Sequence, residues 1–148
     1  MAASAQKNTG PYKGLIPYSE DDAPFFFGRE RERENIISNL MGSRLTLLYG
    51  PTGAGKSSVL RAGVAYRLRL LAAENLERYS KPEFVPIVFS KWHGDPLSNL
   101  QESIKKSILR VFGDETDVER LPLSDLTSTL KKCSELIGGD LLIILDQF

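Results

Sequence analysis

LTLLYGPTGAGKSSVLRAGV, residues 45–64, is the stretch that decides how this chain is read. Inside it, GPTGAGKS (50–57) matches G-x-x-x-x-G-K-[ST] at every fixed position. The residues before it, LTLLY (45–49), form a short apolar run bounded by a glycine and predict a strand. After it, Leu60, Val64, Leu68 and Leu71 recur at helical spacing, predicting a helix from Lys56 into the seventies. Strand, glycine loop, helix is the context that gives the motif its chemistry. Glycines 50, 53 and 55 admit backbone conformations that other residues resist. A loop turned in this way points its N–H groups inward and cradles an anion, and the new helix adds its positive end. The ligand implied is a nucleoside triphosphate, ATP or GTP, wrapped by Gly50, Pro51, Thr52, Gly53, Ala54, Gly55, Lys56, Ser57 and Ser58. Lys56 would reach the outer phosphates, and the Ser57 hydroxyl would hold Mg2+.

Working outward, the rest of the chain alternates strand and helix signals. FVPIVFS (84–90) predicts a second strand, with Pro86 blurring its limits. Asp95–Pro96 is a helix start, an N-cap acid followed by proline in the first turn. Leu97, Leu100, Ile104, Ile108 and Val111 supply that helix's apolar face, and Gly113 ends it. A further helix is expected over about 123–137, through Leu126, Leu130, Cys133 and Ile137, ended by Gly138–Gly139. LLIILD (141–146) predicts a third strand with an acid at its mouth. Upstream, RERERE runs into Ile36, Ile37, Leu40 and Met41, giving a helix over 29–41. The alternation and the near-continuous apolar strands argue for an α/β fold, a parallel sheet covered by helices on both faces.

Asp146 takes its meaning from the loop. P-loop NTPases hold Mg2+ with the loop's Ser or Thr and with an acid at the end of a second apolar strand. Ser57 and Asp146 are therefore the expected metal pair.

Composition narrows the class. The chain has 148 residues, 19 basic and 19 acidic, so no net field draws in nucleic acid. One cysteine rules out an internal disulfide framework and suits a reducing compartment. The start lacks the order of a signal peptide, and no apolar run approaches a membrane span, so a cytoplasmic protein is expected. Residues 1–10 are small and polar and are expected to be a disordered tail, 11–28 an irregular arm, and 29–148 the nucleotide-binding unit.

Three segments resemble the novel STAND NTPase 1 family of P-loop switch proteins: PYKGLIPYSEDDAPFFFGRERE (11–32), GPTGAGKSSVLRAGV (50–64) and LLIILDQF (141–148). The resemblance implies a three-layer P-loop NTPase-type sheet with flanking helices. It implies an ATP- or GTP-driven switch in signalling or defence, with effector or sensor domains as partners. It also places Phe27, Gly28, Arg29 and Glu30 near the base and phosphates, with Gly28 and Arg29 the favoured contacts. In that class a strand lies between the loop strand and the LLIILD strand, and Asp-Gln-Phe is commonly followed by Glu-Glu, one acid of which polarises the attacking water. The sequence stops short of these parts. It therefore matches the front of such a domain, truncated after the Walker B strand, and is expected not to hydrolyse nucleotide by itself. Two other functions stay open: a P-loop small-molecule kinase and a non-catalytic nucleotide-binding module.

Other residues carry plain expectations. His93 is a lone loop histidine, Trp92 covers a sheet edge or the next helix, and Cys133 is a small core residue. Arg31, Glu32 and Arg33 pair among themselves, and Arg61, Arg67 and Arg69 form a solvated helix face.

Overall fold

The computed structural model describes residues 13–113 and 125–147. The expected disordered tail and the start of the arm lie outside that range. A 3-10 turn (Glu20–Phe25) precedes α1 (Glu30–Gly42). One continuous helical run follows the glycine loop: α2 (Lys56–Ser58), a π-helical segment (Val59–Ala65) and α3 (Tyr66–Tyr79). Then come β1 (Phe84–Phe89), α4 (Pro96–Phe112), α5 (Leu126–Ile137) and β2 (Asp140–Leu145).

The fold is α/β, with β1 and β2 paired in parallel, Phe84 opposite Asp140 through Phe89 opposite Leu145. Successive strand side chains face opposite ways, and each face meets its own helices. Phe84 and Ile144 pack with Ile36, Ile37, Leu60, Val64 and Leu68 from α1 and the helical run. Val85 and Ile87 pack with Ile104, Ile108, Cys133 and Ile137 from α4 and α5. Cys133 is fully buried, and that burial pushes its thiol pKa up. Pro86 sits within β1 without breaking it.

The helix signals mark real ends. Asp95 caps α4, its carboxylate accepting from the N–H groups of Leu97 (3.1 Å) and Ser98 (3.3 Å), with Pro96 as the first helical residue. Asp125 caps α5 through the N–H of Ser128 at 2.9 Å. Gly138 ends α5 in the left-handed conformation. The expected start of α5 at 123 lies outside the described residues. Leu97, in the first turn of α4, departs from expectation: it is 59% exposed.

The larger departure is LTLLY, which does not form the expected strand. Leu45, Leu47 and Tyr49 are 77%, 74% and 92% exposed. Among the described residues no backbone hydrogen bond ties 45–49 to a strand, and the buried Thr46 hydroxyl has no partner. A groove of about 430 Å3, lined by Leu45–Leu48 on one side and Ile143–Gln147 on the other, separates the run from β2. An apolar run has strand propensity only where a neighbour completes its ladder. Here β2 is too far away to serve.

Candidate nucleotide site

The glycine loop sits at the start of the helical run. Gly53 and Gly55 have φ of +82° and +78°, a region that L side chains rarely enter. Gly50 does not share it, and a side chain there would meet nothing closer than Lys56 Cδ at 3.9 Å. What Gly50 gives is its carbonyl. Lys56 Nζ donates to Gly50 O and to Pro51 O, each at 2.9 Å. The lysine thus bends back over its own loop and holds a positive charge at its mouth.

Ser57 and Asp146 meet. Ser57 Oγ donates to Asp146 Oδ1 at 2.8 Å, across 89 residues of sequence. Gln147 Nε2 reaches the same hydroxyl at 3.3 Å. The main chain fixes the acid too: Asp146 N donates to Phe89 O at 2.8 Å, extending the β1–β2 ladder by one residue. Trp92 Nε1 donates to Asp146 O, also at 2.8 Å. Trp92 stands edge-on to Phe89, ring centroids 4.8 Å apart, so it packs at the mouth of the sheet.

Asp146 is only 4% exposed, and its other oxygen is also taken. Arg61 Nε and Nη2 both donate to Oδ2, at 3.0 and 2.7 Å. The expected solvated arginine face therefore does not exist as such. Arg69 makes an ion pair with Glu20 of the arm, Arg67 lies 3.8 Å from Glu74, and Arg61 enters the site. The signal was in the spacing: Arg61 is four residues after Ser57, so the two share a helix face.

The arm docks on this helical run. Tyr18 N donates to Ser58 Oγ at 3.1 Å, and the Tyr18 and Phe26 rings lie 5.7 Å apart. The Phe26 ring packs on the helical run at Gly63, where an added Cβ would lie 3.4 Å from it. Asp22 ties the arm together, paired with Lys13 and accepting from Ser19 N (2.8 Å) and Ser19 Oγ (2.6 Å). These contacts, the Lys13 bond foremost and then Ser19, lower its pKa from 3.8 to about 2. A carboxyl whose folded pKa lies below its unfolded one stabilises the fold above the unfolded value, and that gain is lost as pH falls through the folded one. Docking of the arm is thus expected to be intact above about pH 4 and to weaken towards pH 2. Hydrogen exchange at the amides of Tyr18–Phe26 reads this directly, and Asp22→Asn should remove the pH step.

Gly14–Tyr18 of the arm, with Thr52, Gly53, Gly55, Ser57 and Asp146, line a cavity of about 530 Å3. Sequence reasoning did not single out Gly14–Tyr18. Leu15 and Ile16 stand there 104% and 69% exposed. Of the residues expected nearby, Arg29 touches the loop from outside, Nη2 donating to Ala54 O at 3.1 Å and Nη1 to Glu32 at 2.8 Å. Gly28 donates to the Glu30 side chain at 3.1 Å, and Phe27 is 77% exposed. Arg33 pairs with Glu34, while His93 is exposed.

A family model for Novel STAND NTPase 1 matches residues 11–148. The chain belongs to the Novel STAND NTPase 1 family. Among curated proteins and among solved structures, nothing matches it. The match takes in the arm, the glycine loop and the Asp146 strand, the three segments that meet around the cavity of this STAND NTPase-related domain. Among the described residues no group of three or more His, Cys, Asp or Glu could hold a metal ion. No helix among them is long and apolar enough to cross a membrane.

Proposed function

We propose that this chain binds a nucleoside triphosphate with Mg2+ through its glycine loop, as the nucleotide-binding element of a STAND-type switch. The observation that carries the reading is the 2.8 Å bond between Ser57 Oγ and Asp146 Oδ1. A loop hydroxyl and a strand-end carboxylate, far apart in sequence, converge beside Lys56 and the two left-handed glycines. Both are hard oxygen donors. Mg2+ keeps several waters and takes one or two protein oxygens plus substrate phosphates, so a two-residue site suits it. Ser57 and Asp146 would hold the ion, which would supply positive charge to the outer phosphates. Residues 50–58 would wrap the phosphates, with ATP or GTP as ligand. In this reading the groove between Leu45–Leu48 and β2 belongs to a wider three-layer P-loop sheet, and the site works in the cytoplasm beside effector or sensor domains.

The test is calorimetric titration of the chain with ATP and with GTP, each with and without Mg2+. Binding that Mg2+ strengthens supports the proposal. Binding of neither nucleotide refutes it.

A pair of substitutions checks the arm-side contact. Arg29→Ala should weaken nucleotide binding several-fold, because Ala54 O loses its donor and the loop its outer brace. Arg33→Ala should not, since Arg33 only pairs with Glu34 and lays its stem over Gly63. Each change removes one positive charge, so equal effects in the same titration would mean a general field and no special role for Arg29.

A further inference from the structure

The two oxygens of Asp146 have different partners. Oδ1 accepts from the Ser57 hydroxyl at 2.8 Å, and Oδ2 accepts two bonds from the Arg61 guanidinium, at 3.0 and 2.7 Å. The acid is 4% exposed and the Arg61 side chain 26%, so this is a largely desolvated ion pair. A buried carboxylate without a counter-charge is costly, and a planar guanidinium is the group best shaped to hold one oxygen from two nitrogens. Ladder and indole bonds already fix the main chain of Asp146, so the carboxylate's remaining freedom is rotation about its side-chain bonds. Arg61 removes it.

We infer that Arg61 is a positioning residue for the cation site. It keeps Oδ2 in the empty and in the loaded site, so that only Oδ1, the oxygen beside Ser57, is turned to a divalent cation. Asp146 then serves the ion with one oxygen, as suits an octahedral cation that keeps most of its waters. Arg61 also carries the counter-charge when no cation is present. Partners that orient a metal ligand from behind typically change metal affinity about 10–100-fold when removed. This inference rests on the nucleotide-binding reading above, but it concerns the metal alone and not the phosphate cradle.

The experiment is calorimetry of the full chain with ATP, in Mg2+ and in excess EDTA, for the wild type, Arg61→Ala and Arg61→Lys, each checked by a thermal melt. Arg61→Ala should lose about tenfold in affinity in Mg2+ and less than twofold in EDTA. Arg61→Lys keeps the charge but offers one nitrogen, so its loss in Mg2+ should be smaller, about threefold. That graded, metal-only loss is what a merely structural role would not produce. Where Arg61→Ala does not fold, the Arg61→Lys comparison decides. Equal losses in Mg2+ and EDTA, no loss at all, or tighter Mg2+-ATP binding would each overturn the inference and leave the phosphate loop standing; the last would mean that the guanidinium competes with the cation. A wild type that binds ATP in neither condition overturns the nucleotide reading, and the role of Arg61 goes with it.

Discussion

Phe89→Ala is expected to cost about 3–5 kcal/mol of folding stability, the usual range for emptying a buried phenylalanine site. Phe89 is 1% exposed on β1, and its ring meets Trp92 edge-on at 4.8 Å. Truncation therefore leaves a cavity and also takes the support from under the indole that bonds Asp146 O. A domain of this size has roughly 5–15 kcal/mol in total, so the loss is a large share. Thermal melting should show a fall of roughly 10 °C or more. Lys106→Ala is the comparison, because its ion pair with Glu102 lies on the surface of α4, with side chains 61% and 53% exposed. Such exposed pairs contribute little to stability. If the two variants melt together, Phe89 is not the keystone of this sheet end.

Lys56→Ala should lower triphosphate affinity about ten- to a hundredfold while leaving the fold nearly as stable. Among the described residues the ammonium's hydrogen bonds go to the loop carbonyls Gly50 O and Pro51 O. Hydrogen bonds from a charged group are worth roughly 1.5–3 kcal/mol, and those to phosphate oxygens would be lost outright. Calorimetry gives the affinity and a melt gives the stability. Unchanged affinity would remove Lys56 from the site.

Much of this was legible in the sequence because its causes are local. Asp95–Pro96 and Gly138 mark helix ends by capping chemistry that spans only a few residues, whereas the Asp125 cap of α5 was not singled out. The apolar stripe of α4 follows from helical period, and of the residues expected on it only Leu97, in the first turn, is exposed. The meeting of Ser57 and Asp146 was legible through the motif. What escaped depends on partners distant in sequence. LTLLY has strand composition, yet whether it becomes a strand is decided by a neighbour that no local pattern encodes. Arg61 looked like one of three basic residues on a helix; its spacing from Ser57 set it apart from Arg67, but the partner it meets there arrives with β2. The cavity wall at Gly14–Tyr18 exists because the arm folds back on Ser58, a contact between residues 40 apart.

That difference in range also divides the site in two. Among the described residues the hydrogen bonds that shape the glycine loop do not involve β2: Lys56 reaches back six residues to Gly50, and Arg29 at the start of α1 braces Ala54. The bonds that Asp146 accepts from Arg61 and Ser57 span 85 and 89 residues and depend on β2 to bring the acid there. Local openings of a protein follow cooperative units, each with its own free energy. An opening that detaches β2 from β1 would therefore part Asp146 from Ser57 while leaving the loop's own bonds in place. If the proposed nucleotide reading holds, such an opening would give a half-state that holds anions without preferring the metal-bound form, visited as often as the hold of β2 on β1 allows.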